Sequence, residues 1–185
     1  KLKKPFLLVT FHPVTLEYEQ ARRQAGQMLA ALGRVGMPVV FTMPNADMGG
    51  KIIRRLINEF VSERPGHCAV ENLGTPAYFS LMKAAAAMVG NSSSGIIEAP
   101  SFKLPVVNIG TRQEGRIRAA NVIDVGYSTA EISAGISRAI SPAFRRRLAH
   151  MRNPYGRASA AEIIVNRLKA VPLDAHLMVK KFVDA

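Results

Sequence analysis

The segment 90–95, Gly-Asn-Ser-Ser-Ser-Gly, is the part of the sequence best suited to bind a ligand. It lies between an apolar run at 87–89 and the start of a helical pattern at 96–98. Small residues let the backbone approach a ligand closely, and three hydroxyls with the free N–H groups of a helix N-terminus suit a pyrophosphate. The Lys-Ser/Thr ending of a P-loop is absent, which argues against an ATPase. The alternative is a surface turn with a helix cap.

Glu98 adds a carboxylate shortly after this loop. A carboxylate is badly placed for a phosphate there, but it is well placed to accept hydrogen bonds from two hydroxyls of a ribose. An interaction with the helix dipole is the alternative. The loop and the carboxylate together predict a nucleotide site.

Two guanidinium groups and one imidazole follow other apolar runs. Arg112 and Arg116 can grip phosphate oxygens or a carboxylate, although a loop arginine is usually only solvated. His12 can act as a general acid or base or as a phosphate donor, and a structural histidine is the alternative. The four histidines are scattered without a second ligand at helical spacing, so no metal site is predicted.

The segment 44–50, PNADMGG, follows another strand-like run and has two interpretations. It is a turn in which Asp47 caps the following helix, or it is a loop that faces uracil and ribose. The residue types alone do not separate the two.

Strands and helices that alternate along the chain must position these groups. Apolar runs predict six strands, at 6–10, 38–42, 68–71, 87–90, 104–109 and 121–125. Helical periodicity predicts five helices, at 16–35, 51–61, 76–86, 129–140 and 159–171. Thr129 is the expected N-cap of the fourth helix, and Pro172 ends the fifth.

This alternation predicts an α/β fold, a parallel sheet with helices on both faces. Right-handed crossovers bring the C-terminal ends of all strands to one edge, where ligands bind in such folds. We therefore expect the loops that carry the polar groups to converge: 10–15, 43–50, 72–75, 90–95 and 109–116.

Composition limits the class of protein. The 185 residues, 48% hydrophobic and 21% charged, suit one globular domain. No apolar run is long enough to span a membrane. The single cysteine, Cys68, indicates a reducing, cytoplasmic setting. The basic start at Lys1–Lys4, without an initiator methionine, suggests a piece of a longer chain.

The net charge of +12 favours a polyanionic partner, which can be nucleic acid, a phosphorylated small molecule or an acidic membrane surface. Much of the excess lies late in the chain, as in Arg145–Arg147. A solvated basic face is the simpler explanation, because no aromatic residues interleave with the arginines to stack on bases.

Four segments, taken in order, carry a resemblance to a known family: TFHPVT, MPNADMGG, GNSSSGIIEAPSFKLPVVNIGTRQEGR and VIDVG. Together they resemble the C-terminal domain of the hydrolysing UDP-N-acetylglucosamine 2-epimerases, over residues 5–140. Non-hydrolysing members typically carry His-Arg-Arg-Glu-Asn and Ser-Asp-Ser-Gly-Gly motifs, where this chain has HPVTLE and NSSSG.

The resemblance implies one Rossmann-like half of a two-domain, glycosyltransferase-B-like enzyme. Residues 1–185 would form the C-terminal UDP-binding domain, with a core at 5–140 and closing basic helices at 141–185. The N-terminal catalytic domain would be absent from this chain, leaving it inactive. The implied reaction is anti elimination of UDP followed by addition of water, which gives N-acetylmannosamine, as in sialic-acid-type biosynthesis. No cofactor, membrane or nucleic-acid partner is implied, and the full enzyme would be a homo-oligomer.

The family's roles transfer to matching residues. His12 would be catalytic, beside the phosphates and the reacting sugar. Glu98 would bind the ribose hydroxyls, Arg112 the phosphate side, and the backbone near Leu73 the uracil. The remaining UDP-binding residues would be a pocket-lining asparagine and the three loop serines: Asn45, Ser92, Ser93 and Ser94.

Other functions remain open from the sequence. A non-hydrolysing epimerase or a glycosyltransferase would share the architecture, and UDP-diacetamido sugars are alternative substrates. A basic nucleic-acid-binding module is the alternative from another class.

Overall fold

A computed structural model describes residues 5–156 and 159–179, apart from the side chain of residue 176. Six strands form one sheet in the order β3-β2-β1-β4-β5-β6. Every neighbouring pair is parallel. The strands are β1 (Leu7–Thr10), β2 (Val39–Thr42), β3 (Cys68–Val70), β4 (Ala87–Gly90), β5 (Val106–Ile109) and β6 (Val122–Val125). The order turns back at the β1–β4 pair, which creates a crevice between their carboxyl ends.

Helices connect the strands and cover both faces of the sheet. The described helices are α1 (Ala21–Val35), α2 (Gly50–Ser62), α3 (Gly74–Ala84), α4 (Ser94–Ile97), α5 (Thr129–Ile140), α6 (Pro142–Arg147), α7 (Ala160–Ala170) and α8 (Ala175–Met178). Two 3-10 turns, Thr15–Gln20 and Ala99–Phe102, precede α1 and follow α4.

The core consists of two layers, one on each face of the sheet. In β1, Leu7 and Val9 pack in the layer under α1, α2 and α5, while Leu8 packs in the layer under α3. Successive strand residues point to opposite faces, so a strand covered on both sides must be apolar throughout. This explains the continuous apolar runs and confirms the predicted fold class.

The predicted helix at 16–35 was wrong in its first turn. The turn Thr15–Gln20 is 3-10, Glu17 within it has φ −124° and ψ 20°, and α1 begins only at Ala21. Leu16 is 96% exposed instead of packing in the core. The periodicity counted Leu16 as part of the apolar face, but the break at Glu17 turns it toward solvent.

The predicted N-cap Thr129 was also wrong, and so was one of the two interpretations of the segment 44–50, the one in which Asp47 caps a helix. Ser128 caps α5, because its hydroxyl accepts from the backbone N–H of Glu131. The Glu131 carboxylate in turn accepts from the backbone N–H of Ser128, which completes a capping box. The Thr129 hydroxyl instead donates to the backbone carbonyl of Gln27. Asp47 does not cap α2, whose N-cap is Gly49 in the left-handed region.

The closing segment continues beyond the sheet. Phe144 of α6 and the following Leu148 are buried in the core. By contrast, every residue of α7 is exposed. Residues 157–158 and 180–185, which belong to the predicted closing basic helices, lie outside the described residues, as does the predicted basic linker at 1–4.

Candidate functional site

The carboxyl ends of β1 and β4 meet at a contact that only glycine permits. Gly90 has φ +134°, and a Cβ atom there would lie 1.9 Å from the Thr10 carbonyl oxygen. The next residue, Asn91, donates its backbone N–H to that same oxygen over 3.1 Å. The glycine that the sequence suggested for close approach to a ligand therefore serves a close approach between two strands.

Asn91 joins three of the loops at this edge. Its buried amide accepts from the His12 backbone N–H over 2.7 Å and donates to the His12 carbonyl over 2.8 Å. Its own carbonyl accepts from Arg112 Nη1 over 3.2 Å and from Gln113 Nε2 over 2.8 Å. The loops after β1, β4 and β5 are thereby fixed to one another.

The imidazole of His12 is held in one protonation state. The backbone N–H of Asn45 donates to His12 Nδ1 over 3.1 Å, which leaves the proton on Nε2. Burial lowers the pKa of His12, and the Arg112 guanidinium lowers it further, against weaker opposing effects of Asn45 and Asp47. At neutral pH His12 is therefore a neutral imidazole that presents Nε2–H as a donor.

The side chain of Asn45 faces a neighbour in its own loop. Its Nδ2 donates to Asp47 Oδ2 over 2.5 Å, and the residue is exposed. The Asn45 backbone contacts His12 Nδ1, and a hydrogen bond with the Asn45 side chain raises the pKa of His12. The role of Asn45 in lining the nucleotide pocket stays a prediction.

A cleft of about 460 Å³ opens beside this junction, over the carboxyl ends of β2 and β3 and against α3 and α4. We call it the Glu98 cleft. Its lining includes Thr42, Leu73, Tyr78, Phe79, Ser94 and Glu98. The cleft therefore combines apolar and aromatic surface with hydroxyl groups and two carboxylates, Glu98 and Glu71, of which Glu71 pairs with Arg54.

Glu98 is the unusual group in this cleft. Its Oε2 is buried and has no hydrogen-bond partner among the described residues. Leaving a buried carboxylate oxygen without a hydrogen-bond donor costs more free energy than one hydrogen bond contributes on balance to stability. Buried groups of this kind therefore normally have partners. Its position on a cleft lining makes it an acceptor suited to ligand hydroxyls.

Tyr78 and Thr42 line the Glu98 cleft, and Thr10 forms hydrogen bonds to both of them from the neighbouring strand. The Tyr78 hydroxyl bonds to the side chains of Thr10 and Ser94, and burial raises the pKa of Tyr78. Thr10 and Thr42 share a hydroxyl hydrogen bond of 2.5 Å. These residues were not predicted from the sequence, in which their signal was a threonine at the end of each of two apolar runs.

The helix that follows the serine loop is a single turn. Helix α4 has four residues, and its N-cap Ser93 makes no side-chain capping bond. Ser92 Oγ accepts from the Ser94 backbone N–H at a long 3.4 Å. One helical turn supplies a weaker dipole than a full helix, so the hydroxyls and loop N–H groups are the main anion-binding candidates.

The predicted residues thus form two adjacent groups. Leu73, Ser94 and Glu98 line the Glu98 cleft. His12 and Arg112 meet at Asn91, and Ser92 and Ser93 connect the two groups along the chain.

Arg116 does not join these groups. It is exposed, and its carbonyl accepts from Arg118 Nη1 over 2.9 Å. Within residues 5–156 and 159–179, no three His, Cys, Asp or Glu side chains lie close enough to hold a metal ion. In the same part of the chain, no helix is both long and apolar enough to cross a membrane.

A parallel sheet whose strand order turns back at a crevice, with a carboxylate cleft and a hydroxyl-rich loop at its carboxyl edge, defines a Rossmann-like ligand-binding protein. The sequence profile described as UDP-N-acetylglucosamine 2-epimerase matches residues 1–169. The chain belongs to this family.

Two curated relatives are similar at the sequence level. The GDP/UDP-N,N'-diacetylbacillosamine 2-epimerase (hydrolyzing) of Campylobacter jejuni is 41% identical over 126 residues, which cover 67% of this chain and 33% of the relative. The UDP-N,N'-diacetylbacillosamine 2-epimerase (hydrolyzing) of Legionella pneumophila is 33% identical over 177 residues, covering 96% and 46%. The chain spans less than half the length of these relatives.

Solved structures share the fold at low sequence identity. The UDP-GlcNAc 2-epimerase of Neisseria meningitidis, bound to UDP-GlcNAc, matches with a TM-score of 0.73 at 21% identity, over 89% of this chain and 44% of that one. AviGT4, a glycosyltransferase involved in avilamycin A biosynthesis, matches at a TM-score of 0.55 and 19% identity, over 92% and 53%. The chain therefore has a fold that epimerases and glycosyltransferases share.

Proposed function

We propose that this chain is the UDP-binding part of a hydrolysing UDP-sugar 2-epimerase. The observation that carries the proposal is Glu98 Oε2, a buried acceptor without a partner among the described residues, on the lining of a cleft at the carboxyl edge. Two neighbouring hydroxyls, such as those of a ribose, satisfy a carboxylate in this way. Membership of the epimerase family makes a uridine nucleotide the fitting ligand.

The pose that we propose extends from the cleft toward His12. The ribose hydroxyls donate to Glu98, and the uracil contacts the backbone near Leu73. The pyrophosphate lies along Ser92, Ser93 and Ser94. In this pose its far end comes next to Arg112 and His12, which donate to it.

The proposed reaction needs a base at sugar C2 and stabilisation of departing UDP. As the C1–O bond breaks, the electron pair goes to the pyrophosphate oxygen, and the C2–H electrons form the double bond of a glycal. Water then adds to give the free 2-epimeric sugar. The neutral Nε2–H of His12 and the cation of Arg112 oppose the charge that develops on UDP. We assign removal of the C2 proton to carboxylates of an N-terminal domain, as the family resemblance implies.

The relatives' names guide the choice of substrate. Both curated relatives described above carry the word hydrolyzing and name a diacetamido sugar, while a fold neighbour is bound to UDP-GlcNAc. We therefore propose a UDP-linked 2-acetamido sugar and would assay UDP-GlcNAc and UDP-N,N'-diacetylbacillosamine side by side. The C-terminal position of this domain, a homo-oligomeric full enzyme and a cytoplasmic location belong to the same proposal.

Titration calorimetry of the chain with UDP tests the proposal. We expect saturable binding that Glu98→Gln weakens at least tenfold, because the amide leaves one acceptor fewer for two hydroxyls. Glu63→Gln is the matched control, since Glu63 follows α2 at the opposite edge of the sheet and pairs with the adjacent Arg64. UDP binding equal in wild type and Glu98→Gln would reject the pose.

A turnover assay separates the epimerase from a glycosyltransferase. The full-length protein, given the UDP-sugar without an acceptor, should release UDP and a free 2-epimeric sugar in equal amounts. Turnover that depends on an added acceptor would favour the glycosyltransferase. We expect this chain alone to bind UDP with little or no turnover.

A further inference from the structure

Glu17 connects two loops of the site through its carboxylate. Its Oε1 accepts from the Thr111 hydroxyl over 2.6 Å, and its Oε2 accepts from Gln24 Nε2 over 2.6 Å. Tyr127 adds a hydroxyl next to Thr111, whose backbone N–H donates to it over 3.4 Å. Glu17 is half-buried in the 3-10 turn after β1, and the described contacts use both of its oxygens.

These bonds complete a ring of contacts around the site. Glu17 follows His12 by five residues, and Thr111 immediately precedes Arg112. From Arg112 and Gln113 the ring continues to the Asn91 carbonyl, and from the Asn91 amide it returns to the His12 backbone. Among the described hydrogen bonds, those at Glu17 and those at Asn91 join the loop after β5 to the loop after β1, so loss of the Glu17–Thr111 bond weakens this connection.

We propose that Glu17 is a positioning residue that holds Arg112 beside His12, so that the guanidinium and the imidazole act together on a bound diphosphate. The inference rests on the proposed function for its ligand. Its geometric part, the placement of Arg112 relative to His12, is independent of any ligand.

The chemistry of Glu17 suits a permanent anchor. The hydrogen bond from Thr111 is the largest of the effects that lower the pKa of Glu17, and Tyr127, Gln24 and Arg23 lower it further against the opposing effect of burial. The carboxylate therefore stays ionised at neutral pH, and hydrogen bonds to a charged acceptor are the stronger kind. It is not suited to act as a general base.

The imidazole reports the position of Arg112 without any ligand. Two charged groups act on His12: Arg112 lowers its pKa and Asp47 raises it. If Arg112 moves away, the pKa of His12 must rise. A role for Glu17 confined to the stability of its turn would leave this pKa unchanged.

The test is an NMR pH titration of the His12 imidazole in the ligand-free chain, with the signal assigned by its loss in His12→Gln. The variant Arg112→Gln lacks the cation, so the rise that it causes in the pKa of His12 is the reference for complete loss of the Arg112 effect. We expect Glu17→Ala and Thr111→Val each to give a large part of that shift, and the double variant to give no more than either single one. In Glu17→Gln we expect partial rescue, because the amide oxygen can still accept from Thr111, and the unpartnered Gln24 Oε1 can accept from the new amide group.

Glu19→Ala is the matched control, since Glu19 lies on the same turn and its carboxylate accepts from the adjacent Tyr18 hydroxyl at 3.4 Å. It should leave the pKa of His12 and the affinity for UDP unchanged. Glu17→Ala should bind UDP roughly three- to tenfold more weakly, the range that one net hydrogen bond contributes.

The two proposals fail in different ways. A wild-type chain that does not bind UDP, while Glu17→Ala still shifts the pKa of His12, would reject the ligand and keep the positioning role. A well-folded Glu17→Ala chain with an unchanged pKa of His12 would overturn the positioning role, whatever its affinity for UDP.

Discussion

At the scale of single residues, two groups of the site are held in states that cost stability when no ligand is bound. Glu98 keeps a carboxylate oxygen buried without a partner among the described residues. His12 is kept neutral by burial and by a neighbouring cation. Arrangements of this kind are typical of binding and catalytic sites, where a local cost is balanced by the rest of the fold.

The depressed pKa of His12 predicts how stability depends on pH. The unfolded chain takes up the proton near pH 6.5, before the folded chain does. The contribution of His12 to the free energy of unfolding is therefore fully present above about pH 7, and it is lost as the pH falls through the pKa of the folded state. In His12→Gln the free energy of unfolding should fall less between pH 7 and 5, as measured by urea denaturation.

His67 provides an internal comparison for this measurement. Burial lowers the pKa of His67 as well, and its Nδ1 accepts from the Val39 backbone N–H over 3.1 Å. His67→Gln should remove a second part of the same slope. If the slope of the free energy of unfolding against pH is the same in His12→Gln as in wild type, His12 has its ordinary pKa in the folded chain. That result would contradict the proposal that burial and Arg112 keep His12 neutral.

Candidate site residues could be predicted from the sequence where a reactive or polar side chain directly follows a predicted strand. Ser92–Ser94 and Glu98 were found because polar groups stand out directly after an apolar strand. Asn91 and Gln113 were not assigned a role, because their function is to bond main-chain atoms far away in the sequence. An amide that bonds the backbone of a residue 79 positions distant leaves no pattern in the sequence.

At the scale of elements, the site depends on the contact between β1 and β4. Gly90→Ala should destabilise the chain by more than about 3 kcal/mol, since the new methyl would overlap the Thr10 carbonyl in a backbone region that favours glycine. Chemical denaturation measures this loss.

Gly26→Ala is the control for that substitution. Gly26 lies inside α1 and has no atom within 4 Å of an added Cβ. Alanine there should stabilise the chain by roughly 0.5–1 kcal/mol. A Gly90→Ala chain as stable as wild type would mean that the two strand ends can separate at little cost.

Element types were predictable and element ends were not. All six strands lie within the predicted ranges. The reason is clearest for β1, β4 and β5, which are buried throughout and therefore need an almost unbroken apolar run. The break at Glu17 accompanies a contact with Thr111, 94 positions away, which propensity and periodicity do not describe. The cap of α5 was within reach of the sequence, because Ser128 and Glu131 form a local capping box, and the prediction placed the cap one residue too late.

At the scale of the molecule, the basic charge and the candidate site lie apart. Helix α5 starts at the carboxyl edge and runs to the opposite edge, where α6 with the exposed Arg145–Arg147 follows it. Lys103, just before β5, bonds the Ala149 carbonyl near that end. The net charge of +12 therefore need not act on the ligand of the Glu98 cleft.

This separation predicts a weak salt dependence for UDP and a steep one for DNA. Between 50 and 500 mM NaCl, the affinity for UDP should fall less than roughly tenfold, because few cations face the proposed diphosphate. Any binding to a DNA duplex should follow a slope of about −0.9 per phosphate contact in a plot of log affinity against log salt. Fluorescence anisotropy with labelled duplex and UDP titrations at each salt concentration measure both. Tight DNA binding that outlasts UDP binding at high salt would favour the nucleic-acid module.

The β1–β4 contact also determines which parts of the protein can be redesigned. Because the Thr10 carbonyl leaves no room for a side chain at position 90, the ends of these two strands form a rigid base under the loops that bind phosphate in the proposed pose. In the proposed pose the base contacts a different part of the site, the segment between β3 and α3 that carries Leu73. Replacing that segment with its counterpart from another sugar-nucleotide enzyme should change the preferred base and leave the binding of the phosphates unchanged.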